Sequence, residues 1–468
     1  MKLWNNGLSA GLSALILFLN PLCAQNQTEE LSPFFPGSSL PFSIEIERAS
    51  FILPTGLQSY ASADYKGKWL FIAGRTNGLH GFDDIGNNFP PLFQNRTVYV
   101  IDPETGASWS RSLTDASSGL SQSEIDTLSV SASQFVQQGK TLYMVGGYGI
   151  NTATNQMETK DTLTAINLKR MIKWVINGTP SAKKSIRQVS HPLLQVTGGD
   201  LFQANDHEPF LLTLGQNFQG LYRDDSNGIY THQIRRFWLN DDGKQLTITR
   251  HSSKKIPADY RRRDLNVVPI IRDNKPLYVV LSGVFTLDTG VWTVPITIFP
   301  DGSSFEPNPS LPSTFKQAMN HYDCPVFGLY STHHKQMYVV LPGGISFGFF
   351  SGGVFQTDPF IPFINQVTTI KIDKHDNYSQ YLMGEFPFIA STGSNPGNQL
   401  LFGAEAEFFS ASHISKYRNE VIQLDKLQTG STILGYIVGG IMSTLPNTNV
   451  PSDSTSSPYI FTVKLIKK

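Results

Sequence analysis

Six times along the chain a run of aliphatic and aromatic residues ends in one or two glycines. The runs are Trp69-Leu-Phe-Ile-Ala-Gly74, Leu142-Tyr-Met-Val-Gly-Gly147, Phe210-Leu-Leu-Thr-Leu-Gly215, Leu277-Tyr-Val-Val-Leu-Ser-Gly283, Met337-Tyr-Val-Val-Leu-Pro-Gly-Gly344 and Leu434-Gly-Tyr-Ile-Val-Gly-Gly440. Short apolar runs bounded by turn residues predict strands buried on both faces. Four of them follow a turn sequence, at Lys66–Lys68, Gln138–Lys140, Asp273–Lys275 and His334–Gln336, so each closes a hairpin. A third β-patterned run follows every glycine, at Thr97–Ile101, Thr162–Ile166, His232–Trp238, Trp292–Ile298, Gln366–Ile372 and Tyr459–Leu465, and a fourth follows in most units. The closing glycines are 73, 68, 68, 61 and 96 residues apart. A four-stranded antiparallel unit repeated at such spacing predicts a β-propeller.

The glycine-ended strand, together with Val98-Tyr-Val-Ile-Asp-Pro-Glu-Thr-Gly106 and Trp109, resembles the kelch repeat. The resemblance runs over nearly all of the chain beyond its leader and is clearest in the first two units. Kelch blades run to about 50 residues, so these units carry insertions. The expected fold is an all-β, six-bladed kelch-like propeller. The last unit stops at Lys468 just after its third strand, while Phe42–Phe51 alternates as a strand does. That N-terminal strand is expected to complete the last blade and close the ring, removing an exposed edge. A seventh blade would have to lie in the 96-residue interval, which holds Gln399–Phe409 and Glu420–Leu424; six glycine-ended strands set the number at six. An open two-sheet sandwich fits the repeat poorly, and Thr444–Pro458 reads as a mobile loop.

The ends set the expected compartment. Met1-Lys2, the apolar run Leu12–Leu19 and Ala24 before Gln25 form the pattern of a signal peptide over residues 1–24. The run is well short of the roughly 18 residues a membrane span needs. Lipid attachment at Cys23 is disfavoured because no small residue stands directly before it. Residues 25–41 read as a flexible leader and 42–468 as a single propeller domain, in a protein that is secreted or periplasmic and envelope-located. Past Ala24 the chain keeps one cysteine, Cys324, and so no internal disulfide. Lys and Arg number 37 against 37 Asp and Glu, so no net field draws the chain to nucleic acid or anionic lipid. No later stretch is apolar enough to span a bilayer, which argues against an integral membrane protein.

In a propeller the polar residues around the inner strands face the central channel. The candidates are Arg75, Gln216, Arg263, Asp264, Asn266, His321, Tyr322, Glu405 and Glu407, with Arg235 at an alternating strand position. Such groups commonly satisfy one another around a ring. As a site they suit a polar ligand such as a carbohydrate, with Tyr322 or Phe285 to stack on it. Glu405 and Glu407 share a strand face and His321 supplies a base, which is weak support for acid–base chemistry.

Sharper enzyme patterns fit less well. Galactose-oxidase-like propellers need a copper site with a Cys–Tyr crosslink. Here His321, Tyr322 and Cys324 stand close together on one segment, where neighbouring side chains diverge. Ser62-Ala-Asp64-Tyr-Lys-Gly67-Lys-Trp69 misses a sialidase Asp-box by one place, and likeness to exported kelch sugar epimerases rests on fold alone. No phosphate loop, dinucleotide fingerprint, nucleophile elbow or metal-ligand spacing is present, so no cofactor and no metal are expected. The expected function is a binding module for a glycan or an extracellular or envelope protein. The alternative is a carbohydrate-active enzyme of epimerase, hydrolase or lyase type, using Glu405, Glu407, His321 and Arg235 at the channel mouth.

Overall fold

The protein is described by a computed structural model covering residues 31–83, 85–205, 207–223, 228–252, 260–448 and 450–468. The expected signal peptide, including Cys23, lies outside the described residues. The fold is all-β and propeller-like. Five four-stranded antiparallel sheets form blades. The first four, counted from the inside outward, are Ala61–Tyr65, Lys68–Ile72, Thr97–Ile101 and Ser108–Ser112; then Gln134–Gln138, Thr141–Val145, Thr162–Asn167 and Ile186–Ser190; then Asp200–Phe202, Phe210–Thr213, Ile234–Asp241 and Leu246–Ser252; then Asn266–Arg272, Lys275–Leu281, Ile296–Ile298 and Ser304–Phe305.

A six-stranded sheet follows. Its antiparallel centre is Phe327–Ser331, Gln336–Pro342, Gln366–Ile372 and Tyr378–Glu385. Short parallel strands flank it, Ile422–Gln423 against Leu329–Tyr330 and Phe34–Pro36 against Gln380–Leu382. The last blade is Ala406–Ser410, Gly430–Gly439, Tyr459–Lys467 and, outermost, the N-terminal Phe42–Ile52. This N-terminal strand pairs antiparallel with Tyr459–Lys467, Phe42 facing Lys467 and Arg48 facing Phe461. Phe42, Ile44 and Ile46 are buried while Glu45 and Glu47 are exposed, so the alternation read from the sequence places its apolar face on the core.

Middle strands lie between two neighbouring sheets. Leu70, Phe71 and Ile72 are fully buried although they point to opposite faces, which explains runs of continuous rather than alternating hydrophobicity. Outer strands such as Ser108–Ser112 meet water on one side and carry polar residues.

Two local readings change, and two further features are added. The region 25–41 is not a flexible leader from residue 31 onward, because Phe34–Pro36 adds to the six-stranded sheet. Thr444–Pro458 is not a plain loop: Ser454–Ser456 pairs with Ile441–Ser443. A helix, Leu168–Asn177, interrupts the second blade between its third and fourth strands. Leu168, Met171, Ile172 and Val175 recur at helical spacing and are buried, the Asn167 side chain accepts the Arg170 N–H, and Gly178 ends the helix in the left-handed region. The named strand that begins within Gln399–Phe409 is Ala406–Ser410, the inner strand of the last blade.

Candidate functional site

The antiparallel register of the inner hairpins, continued past their last paired residues, sets one residue opposite each closing glycine. Ser59 faces Gly74, Ala132 faces Gly147, Gly198 faces Gly215, Asp264 faces Gly283, Asp323 faces Gly344 and Glu405 faces Gly440. All six hoop residues have positive φ, between 47° and 63°. They are linked by main-chain hydrogen bonds. The Asp264 N–H donates to Gly198 O (2.8 Å), Gly198 to Ala132 O (3.2 Å), Ala132 to Ser59 O (3.3 Å), Ser59 to Glu405 O (3.4 Å) and Glu405 to Asp323 O (2.7 Å). A hoop of backbone therefore lines the channel.

The glycines tie sheet to sheet. Gly74 N–H donates to Val130 O, Gly147 to Val196 O, Gly215 to Arg262 O, Gly344 to Phe402 O, and Gly440 to Leu57 O, the last joining chain end to chain start. At Gly74, φ is +85° and a Cβ would stand 2.4 Å from Gln58 O, so neither the conformation nor the space admits a side chain.

The hoop separates two cavities, and all six of its residues line both. The upper cavity, about 850 Å³, is walled by Phe89, Tyr148, Phe218, Tyr222, Phe285 and Tyr322. The lower, about 290 Å³, continues down the channel past Gln134, Asp200, Asn266 and Glu407. Half of the hoop is acidic (Asp264, Asp323, Glu405) and half is small (Ser59, Ala132, Gly198).

Arg263 serves the acidic half. Its Nη1 lies 3.0 Å from Asp264 Oδ2, and Nε and Nη2 donate to the Tyr230 and Tyr222 hydroxyls, both at 3.1 Å. Among the described residues lining the two cavities it is the one Lys or Arg. Burial works against its charge, yet Asp264 and the two tyrosines outweigh burial and hold its pKa well above the ordinary value. Burial raises the Asp264 carboxyl, with Arg263 opposing. Asp323 is pushed well up by burial and then by the charges of Glu405 and Asp264. Glu405 rises to about 7, chiefly by burial, and hydrogen-bonds Asp323 and Ser59. A carboxyl–carboxyl hydrogen bond needs a proton between the two groups. One tier below, burial lifts Asp200 to about 7 and, with help from Asp200 and Glu405, Glu407 to about 8.

The sequence candidates divide by position. Gln216, Arg263, Asp264, Tyr322 and Glu405 line the upper cavity, as do His80 and Phe285; Asn266 and Glu407 line the lower. Three candidates reach neither cavity. Arg75 is buried behind the wall, over the Phe89 ring at 5.0 Å, with Nε on Asn77 Oδ1 and Nη2 on Pro90 O. Arg235 sits on a third strand and donates from Nη1 to Leu193 O at 2.6 Å, a strap between elements. His321 is fully buried between Gly343 O (2.7 Å) and the Thr368 hydroxyl (3.0 Å), and burial holds it down at about 4. It is correspondingly no base for the site. Glu405 and Glu407 both line the lower cavity, Glu405 from the hoop, with φ +57°, and Glu407 from the tier beneath.

Sequence reasoning missed Asp200 as a site residue and did not separate Asp323 from its neighbours. It also missed His80, which packs on Phe82, Phe89 and Tyr222 at 4.7–4.8 Å and is held near 4 by burial. Of these, Asp323 had a readable signal, its register opposite the closing Gly344. Among the described residues no three His, Cys, Asp or Glu converge as a metal-binding group, and no helix is long and apolar enough to cross a membrane.

No family model matches the chain, and no curated protein matches it. A solved structure, "Structure of YjhT", is similar over 88% of this chain and 96% of that one, with a TM-score of 0.44 and 11% sequence identity.

Proposed function

We propose that this protein is an exported, kelch-like propeller of six blades that binds a carbohydrate in the upper cavity. The six-stranded sheet is the remaining blade in this reading, because it supplies a hoop residue, Asp323, opposite a closing glycine, Gly344, as each four-stranded blade does. Export rests on the leader pattern of residues 1–24.

One observation carries the ligand assignment: a row of carboxyl acceptors, Asp264, Asp323 and Glu405, stands beneath aromatic walls that include Tyr222, Phe285 and Tyr322. Sugar hydroxyls donate to carboxyl oxygens, while the C–H faces of a pyranose pack on aromatic rings. A cavity of about 850 Å³ falls in the range of small-ligand sites.

The second reading is a carbohydrate-active enzyme. It is favoured by the hydrogen-bonded Asp323–Glu405 pair, because a carboxyl held near 7 exchanges a proton readily at neutral pH.

A thermal-shift screen of the protein against a glycan panel tests the binding reading, since a ligand of the folded state must raise the melting temperature. A sugar is expected to do so, and Phe285→Ala or Glu405→Gln to abolish the shift while each variant still melts cooperatively. A panel without any shift, or a shift indifferent to both variants, removes the assignment. Turnover of the bound sugar, lost in Glu405→Gln with binding retained, selects the enzyme.

A further inference from the structure

We propose that residues 411–429 plug the lower mouth of the channel, so that ligands enter and leave the propeller only through the upper cavity. This segment joins the inner strand Ala406–Ser410 of the last blade to the middle strand Gly430–Gly439, at the end away from the closing glycines. In the other sheets the same connection takes two residues at 66–67, 139–140 and 273–274 and no more than seven anywhere; here it takes 19. Two residues suffice to close such a hairpin. A connection this long inside a compact fold usually serves a purpose of its own.

The segment folds back into the channel. A small hairpin closes on itself, with the Tyr417 N–H donating to Val421 O (2.8 Å) and the Gln423 N–H to Ser415 O (2.9 Å). Its second arm, Ile422–Gln423, runs parallel to Leu329–Tyr330. The inner strand Phe327–Ser331 already carries Gln336–Pro342 on its other edge, so the hairpin takes the edge that lines the channel. Asn419 Nδ2 donates to Ile270 O (3.3 Å) on the inner strand of the fourth blade, and the Tyr417 and Thr332 hydroxyls meet at 2.7 Å. Across the channel, burial raises the Asp64 carboxyl on the inner strand of the first blade, and the charges of Lys416 and Glu420 also act on it. The segment therefore reaches from the last blade over the six-stranded sheet and the fourth blade towards the first. Val421 joins the buried cluster of Val268 and Tyr330, and Ile422 that of Phe327 and Leu329. This burial holds the segment in the channel rather than leaving it to hang below the ring.

A plugged channel changes what the upper cavity can hold. That cavity is walled all round, since His80, Tyr148, Phe218, Phe285, Phe360 and Asn447 come from successive sheets. Its floor is the hoop, and the plug shuts the way out beneath. Such a well admits the end of a chain and lets no chain thread through. On the carbohydrate reading, on which this consequence rests, the site takes the terminal sugars of a glycan and not an internal segment.

Cys324 lines the lower cavity and reports on access to it. The full chain is treated with aminoethyl methanethiosulfonate, and modification of Cys324 is followed by peptide mass spectrometry. Replacing residues 411–429 by Asn-Gly, the sequence of a two-residue hairpin turn, is expected to speed modification about tenfold or more, because thiol reactivity follows exposure. Asn419→Gly combined with Tyr417→Ser loosens the hairpin tip and keeps its buried residues, and should speed modification about threefold. This second variant carries the test if the shortened chain does not melt cooperatively. Ile248→Ala, on the outer strand of the third blade, weakens the fold away from the channel and should leave the rate unchanged. An unchanged rate in a cooperatively melting plug variant overturns the proposal, as does equal speeding by Ile248→Ala. No sugar enters this test, so its failure is distinct from failure of the carbohydrate reading. For the sugar with the largest thermal shift, long and short chains should compete equally per chain end; competition per sugar unit overturns end recognition.

Discussion

The two halves of the hoop share a backbone and differ in everything else. Ser59, Ala132 and Gly198 adopt the same left-handed conformation as Asp264, Asp323 and Glu405, and the same chain of N–H to O=C bonds runs through both halves. Position is therefore set by the hairpin register and the opposing glycine, and chemistry by whichever side chain occupies the position. The small half leaves room in the channel. The acidic half fills it with three carboxyls and brings Arg263 to hold one of them. A repeat scaffold can thus carry an asymmetric site without departing from its symmetric main chain.

Four tests break or sharpen this contrast. Removing the cation has the largest expected effect. Arg263→Met leaves Asp264 buried beside two more carboxyls, and a loss of about 3–5 kcal/mol is expected in denaturant unfolding. Next comes bulk in the small half. A Cβ on Gly198 would stand 2.4 Å from Asp264 Oδ1 at a φ of +63°, so Gly198→Val should cost about 2–4 kcal/mol and weaken sugar binding by displacing that carboxyl.

The third is a pH effect. Glu405 is raised to about 7 in the folded chain, against an ordinary value near 4 when unfolded, so the unfolded state ionises first. The folded state is then favoured in full below about pH 4 and loses that contribution as pH rises towards about 7. The protein should lose stability over that window, with a slope on the order of 1 kcal/mol per pH unit from this group. Glu405→Gln should reduce the slope, and Ser59→Ala, in the neutral half, should not. The smallest effect is a gain. Ala132→Gly relieves a non-glycine residue at φ +47° and should change stability by no more than about 1 kcal/mol, in the stabilising direction.

How much of this was readable follows from what each feature depends on. The sheets were legible because middle strands are buried on both faces and end in a glycine that the inter-sheet bonds require, as at Gly74 and Gly440. The N-terminal strand was legible because Phe42, Ile44 and Ile46 alternate with polar residues. The site was half legible. Arg263, Asp264, Gln216 and Glu405 flank glycine-ended hairpins closely enough to be picked out. Asp200 was not, because it lies one tier below the hoop and faces Thr213, so no closing glycine marks its place. His321 and Arg235 misled because polar type and strand position do not say which carbonyl a side chain will reach; Gly343 O and Leu193 O took them. The helix Leu168–Asn177 begins directly after the run Thr162–Ile166 read as a strand, and its own helical spacing went unread.

The most direct test of the central claim, that ligand recognition resides in the acidic half of the hoop, is a crystal structure with the sugar that gives the largest thermal shift. The account predicts sugar hydroxyls within hydrogen-bond distance of Asp264, Asp323 or Glu405, with a ring face against Phe285, Tyr222 or Tyr322. A sugar bound on the outer surface, or resting only against Ser59, Ala132 and Gly198, would contradict it.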